Sequence, residues 1–135
     1  KRLKSAVLYE DKPEYLQSPD IVALNKLDEL EQSDLLDKRE IKEFYARLSH
    51  ILREYTENSL YIRALEMTTG EIQNHLTNFP YNNDQIQDYI NILSVADMAK
   101  YAKHVAATEQ CSLDITKSRL LVQETTQYWK LDSIS

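Results

Sequence analysis

Glycine is almost missing from this chain: Gly70 is the single one in 135 residues, and only three prolines accompany it. Hairpins, bulged strands and Gly-rich βα turns consume both residue types, so most β and dinucleotide-binding folds lack their material here. Phosphate loops are excluded on the same ground, because neither GxGxxG nor GxxxxGK[ST] occurs. Cysteine is scarce too. Cys111 stands alone, cannot close an internal disulfide, and fits a reducing compartment. No apolar run reaches the roughly 18–20 residues that a membrane-crossing helix needs. Basic residues are in deficit: 16 Lys and Arg against 22 Asp and Glu leave a net charge of −6. Such a field repels nucleic-acid phosphates unless cations gather on one face, and the sequence shows no basic stripe.

What remains is rich in Leu, Glu, Lys, Gln and Ala, which lose little side-chain freedom in a helix. At 15.8 kDa the chain has the size of one domain with one core. The reading is all-α: a single compact bundle of about five helices over residues 19–135, after an irregular lead-in over residues 1–18. The lead-in carries Pro13, one short apolar patch from Ala6 to Tyr9, and the basic opening "KRLK". Basic clusters of that kind follow membrane spans on the cytoplasmic side, so a juxtamembrane lead-in is one expectation, and an ordinary solvated terminus is the other.

Local signals place the helices. Ser18, Pro19 and Asp20 suit an N-cap, a first position and a dipole-facing acid, which starts a helix over about Pro19 to Glu31. Asp37 and Glu40 have capping-box spacing ahead of Ile41, Phe44, Tyr45, Leu48, Leu52 and Tyr55, the strongest 3.6-residue stripe in the chain. Lys42, Glu43, Arg47, His50 and Glu54 are expected on its solvated face. In "MTTGEI", Thr68 caps a short helix from Thr69 to Thr77, Glu71 returns the bond, and Met67 with Ile72 forms a hydrophobic staple. Gly70 is then punctuation, not a phosphate cradle. A fourth helix starts near Asn83 and ends near Lys103 or His104, burying Ile86, Tyr89, Ile90, Leu93 and Ala96. A fifth, capped by Ser112 with Leu113 and Asp114 in its first turn, aligns Ile115, Val122 and Trp129 with Ser118 and Thr125.

Few residues offer chemistry. His50, His75, His104 and Cys111 lack HExxH or CxxC spacing, and no serine sits in GxSxG. No catalytic, cofactor-binding or metal residue is assigned. The alternative is a small metal-dependent enzyme or sensor built from His75, His104, Cys111 and Asp97. A helix-turn-helix reading of the third and fourth helices fails on charge, since "NDQIQDYIN" would meet phosphate with two aspartates. Asp97 continues an apolar stripe, where an unpaired carboxylate costs several kcal/mol. Two arrangements are therefore open: an ion pair with Arg53 or Arg63 that fixes helix register, or an exposed end-of-stripe carboxylate bonded to Lys100 or water. Tyr61 and Tyr81, set near loops and spared by the core pattern, are candidate partner-binding anchors.

Three segments together carry a resemblance: "FYARLSHILREYTE", "ALEMTTGEI" and "ADMAKYAK". With "PDIVALNKLDEL" ahead of them, they resemble the C-terminal cytoplasmic region of BatD-like membrane proteins of the Bacteroides aerotolerance type. The residues that carry it are Tyr45, Leu52, Arg53 and Tyr55, then Ala64, Leu65, Glu66, Thr68, Thr69 and Glu71, then Asp97, Lys100, Ala102 and Lys103. The resemblance implies a helical domain on the cytoplasmic face of the bacterial inner membrane. It also implies protein partners, a MoxR-type AAA ATPase or a von Willebrand factor A domain protein, and no cofactor.

Overall fold

The computed structural model describes residues 13–101 and 106–130. Five α-helices follow in order: α1 (Pro19–Gln32), α2 (Ile41–Leu60), α3 (Thr69–Leu76), α4 (Asn83–Ala99) and α5 (Thr108–Thr125). Short 3-10 turns lie at Glu14–Leu16, Ala64–Glu66 and Thr126–Tyr128, and no strand occurs among the described residues. The all-α bundle read from composition and periodicity is what the chain forms.

The second helix is the centre because its stripe is the longest. Half of its 20 residues are buried, including Phe44, Tyr45, Leu48 and Leu52, which lose all contact with solvent. Each such side chain stabilises the fold by roughly 1.5–3 kcal/mol. Helices α1, α4 and α5 all lie against α2, whereas short α3 rests mainly on α4 and touches the central helix through the Arg53–Thr69 bond. Surface ion pairs add stitches between layers: Lys26 of α1 with Glu54 of α2 at 2.8 Å, and Arg119 of α5 with Asp28 and Glu31 of α1 at 2.9 and 2.7 Å. Partly exposed pairs of this kind contribute little, about 0–1 kcal/mol each.

Helix boundaries show where local signals compete. Pro19 opens α1 as expected, but Ser18 turns its hydroxyl to Asp20 and caps no backbone amide. The capping box expected of Asp37 and Glu40 does not form; α2 starts at Ile41 with no side-chain cap. Residues 34–39 instead make one helical turn, closed by Glu40 N–H donating to Leu35 O at 2.8 Å and Arg39 N–H to Leu36 O at 3.0 Å. This closure needs a left-handed residue, and with no glycine at hand Arg39 takes it at φ 59°. Burial of Leu35 holds the turn in place. Tyr61 ends α2 the same way, at φ 60° and ψ 38°.

Two further boundaries move. Helix α4 stops at Ala99, short of Lys103, as its last amides tighten to three-residue bonds: Lys100 N–H to Asp97 O and Tyr101 N–H to Met98 O. Helix α5 starts at Thr108, so Ser112 is an exposed interior residue and Asp114 is no first-turn acid. The extra turn brings Gln110 and the fully buried Cys111 into the helix, and it turns Asp114 inward. Trp129 lies beyond the end of α5 yet returns to the core, its indole N–H donating to Tyr55 Oη at 2.7 Å.

The interior is held by hydroxyls as much as by methyls. Tyr45 donates to Asp114 Oδ2 at 2.6 Å, and Gln110 donates to Oδ1 at 2.9 Å, so a carboxylate only 3% exposed keeps two donors. Tyr55 Oη, already accepting from Trp129, lies 2.8 Å from Thr125 Oγ1. Tyr89 reaches back to α2, donating to Leu52 O at 2.9 Å beside the Thr56 hydroxyl. Burial raises the pKa of Tyr45, Tyr55, Tyr81 and Tyr89 above the ordinary 10.0, and at Tyr45 the Asp114 carboxylate adds to the effect. The folded state therefore keeps these phenol protons after the unfolded chain has released its own. Stability is fully present below about pH 10 and falls as pH rises past that value. Chemical denaturation from pH 7 to 11.5 should show a plateau and then a steep loss, and Tyr89→Phe should make the alkaline slope shallower.

Candidate functional site

The "MTTGEI" stretch is where three helices meet. Thr68 caps α3 with both halves of a capping box, its hydroxyl accepting from Glu71 N–H at 3.1 Å and Glu71 Oε1 accepting from Thr68 N–H at 2.9 Å. Ile72 is fully buried, and Met67 lies partly buried against the same core. A Cβ at Gly70 would meet nothing within 4 Å, so the glycine there guards no close approach.

Asp97 is tied, but not to an arginine. Its Oδ2 accepts from the Thr69 hydroxyl at 2.6 Å, and that hydroxyl in turn accepts from Arg53 Nη2 at 3.3 Å. Arg53 also donates to Met67 O at 2.5 Å and to Ser49 Oγ at 3.1 Å. The expected direct ion pair is replaced by a bridge, because the N-terminus of α3 inserts between α2 and α4 and its first hydroxyl fits both partners. Arg63 points elsewhere and pairs with Glu66 at 2.8 Å. The sequence could locate Arg53 and Asp97 but not Thr69 between them, since a first-turn threonine reads as a cap neighbour.

In front of this junction lies an open groove. Ala46, Ser49, His50 and Arg53 of α2 form one wall, and Leu65 with Ala96 and Lys100 forms the other, around about 190 Å³. Ala46 and His50 continue into a larger recess of about 350 Å³ between α1 and α2, lined also by Lys26, Glu29, Glu43 and Arg47. In the larger recess the cations are neutralised: Arg47 by Glu43 and Lys26 by Glu54 and Glu14. In the smaller one His50 and Lys100 have no partner among the described residues. Leu65, 37% exposed, supplies an apolar lip. Sequence reading assigned His50 and Arg47 to a plain solvated face. The groove was hidden from it because Leu65 and Lys100 come from distant parts of the chain.

The other candidates separate. Tyr61 is 90% exposed, beside a recess lined by Pro19, Val22, Glu54 and Asn58. Tyr81 is not a surface anchor: it is only 6% exposed, stacks obliquely on Tyr128 at 5.6 Å, and its hydroxyl is buried without a hydrogen-bond partner. Pro80 and the α4 cap turn it inward, which a loop position alone did not reveal. His75 is half-buried in the last turn of α3, Cys111 is buried in α5, and His104 lies outside the described residues. No group of three or more possible metal ligands converges among the described residues. No described helix is long and apolar enough to cross a membrane. Comparison with known proteins finds no matching family model, no similar curated protein and no similar solved structure.

The bridge gives the site a measurable stiffness. Thr69→Val keeps the shape and removes the hydroxyl, leaving Asp97 and Arg53 each short of a partner, which should cost about 1–3 kcal/mol. In a double-mutant cycle with Asp97→Ala the two losses should couple by at least about 0.5 kcal/mol. Urea denaturation of the four proteins measures this, and purely additive losses would contradict the bridge.

Proposed function

We propose that this bundle is a non-enzymatic docking module, carried on the cytoplasmic side of a membrane-anchored protein and working in oxygen or stress tolerance. The observation that carries the reading is the α2 groove: an open recess with an apolar lip, the Lys100 ammonium and the His50 imidazole, both without partners among the described residues, backed by the Arg53–Thr69–Asp97 bridge. Rigid backing favours recognition, because little ordering entropy is lost when a partner seats. Two side chains with reactive potential are engaged otherwise. Asp114 is saturated by Tyr45 and Gln110, and burial raises the pKa of the Cys111 thiol, which suppresses the nucleophilic thiolate.

The resemblance of the α2, "ALEMTTGEI" and "ADMAKYAK" segments to BatD-like proteins supplies the partner class, a MoxR-type AAA ATPase or a von Willebrand factor A domain protein. The same three segments build the walls of the groove, so likeness and geometry fall on one surface. Titration calorimetry of the purified chain against a MoxR-type AAA ATPase and a von Willebrand factor A domain protein tests the reading. Saturable binding to one of them, with Kd of about micromolar order, is expected, and heat-silent titrations with both would overturn the partner assignment.

A further inference from the structure

We propose that the groove formed by Ser49, His50, Arg53, Leu65, Ala96 and Lys100 receives an acidic, partly apolar peptide segment of the partner protein. This inference rests on the docking reading and names the surface and the chemistry that recognise the partner. Charge decides the occupant. The chain as a whole carries −6, yet no carboxylate lines this recess, and its basic side chains come from two helices. Several basic side chains elsewhere are matched: Lys38 with Asp34, Arg47 with Glu43, Arg63 with Glu66, Arg119 with Asp28 and Glu31. Lys100 and the His50 imidazole, like Arg39 and Lys42 outside the groove, have no ion-pair partner among the described residues.

Arg53 has a different task. Three acceptors fix its guanidinium, so it orients the wall and adds positive potential without being free to follow a ligand. Behind the wall the Asp97 carboxylate takes the Thr69 hydroxyl. Lys100 stands one turn after Ala96 at the end of α4, on a flexible stem that can swing over a bound carboxylate. Leu65 and the two alanines form an apolar floor for a neighbouring side chain.

The shape favours a peptide over a membrane surface. A recess of about 190 Å³ holds one or two side chains, and its continuation along α2 gives an extended segment room to run. A bilayer is flat and, when anionic, is repelled by the rest of this acidic surface. The backbone of the rim helps as well: Leu65 N–H is already held by Glu57 Oε1 at 3.1 Å, so the lip is positioned before any partner arrives.

The test uses the full chain and a fluorescent 12-residue peptide of alternating Glu and Leu, with a Lys and Leu peptide as control, read by anisotropy. The Glu peptide should bind and weaken with added salt, while the Lys peptide does not bind. Placing carboxylates at both positions, His50→Glu with Lys100→Glu, should weaken binding about tenfold or more. Lys42→Glu, on α2 but outside the groove, should leave it unchanged. Both groove residues are exposed; circular dichroism checks folding, and Lys100→Ser gives a milder second variant expected to weaken binding by a smaller factor. Absence of Glu-peptide binding, or binding indifferent to these substitutions, overturns the proposal. So does charge-dependent binding to phosphatidylglycerol vesicles without binding to the peptide. If the natural partner binds wild type and double variant equally, the groove is not its seat and the docking reading stands. If the peptide binds through the groove while neither natural candidate does, the groove stands and the partner assignment falls.

Discussion

Everything in this structure depends on α2 having almost no side to spare. Its 20 residues bury ten, and α1, α4 and α5 each find their apolar partner on it. A helix used so fully has a narrow solvent-facing strip, and that strip carries Ala46, Ser49, His50 and Arg53. The groove is thus a by-product of the packing. Recesses open along α2 on its α1 side and on its α4 side. Function, on this account, occupies the surface that the core leaves uncovered.

The scarcity of glycine shapes the rest. A helical bundle still needs left-handed residues to end its turns, and here Arg39 and Tyr61 supply them at an energetic disadvantage of about 1–2 kcal/mol per residue. The gain is a backbone with few soft points. Capping boxes at Thr68 with Glu71 and at Asn82 with Gln85 add definition at the starts of α3 and α4. Threonine and tyrosine hydroxyls then lock the layers: Tyr45 to Asp114, Tyr55 to Thr125, Tyr89 to the α2 backbone. Tyr81 is the exception among the described residues, a buried phenol that makes no well-formed hydrogen bond.

Much of this was legible in the letters, and the parts that were not share a cause. Stripe periodicity located α2 and α4, and the reciprocal geometry of Thr68 and Glu71 followed from spacing alone, because both depend on residues close in sequence. The Asp37 cap failed because burial of Leu35 recruits the same amides into a different turn. Asp114 read as a helix-start acid because nothing nearby in sequence announces Tyr45, 69 positions away. Asp97 was rightly suspected of needing a partner, but the hydroxyl that bridges it to Arg53 comes from a third helix. The carboxylate-free groove joins residues from three separate stretches, and a net charge of −6 concealed it. Long-range assembly, not local propensity, decides all four.

Native-state hydrogen exchange reads the central role of α2 most directly, since it ranks helices by the free energy needed to open them. The slowest amides should lie in α2 around Leu48, Leu52 and Tyr55, exchanging only through global unfolding, with α3 opening at lower cost. If α2 amides exchange through a local opening while α1 or α5 remains protected, the shared-wall account of this bundle is wrong.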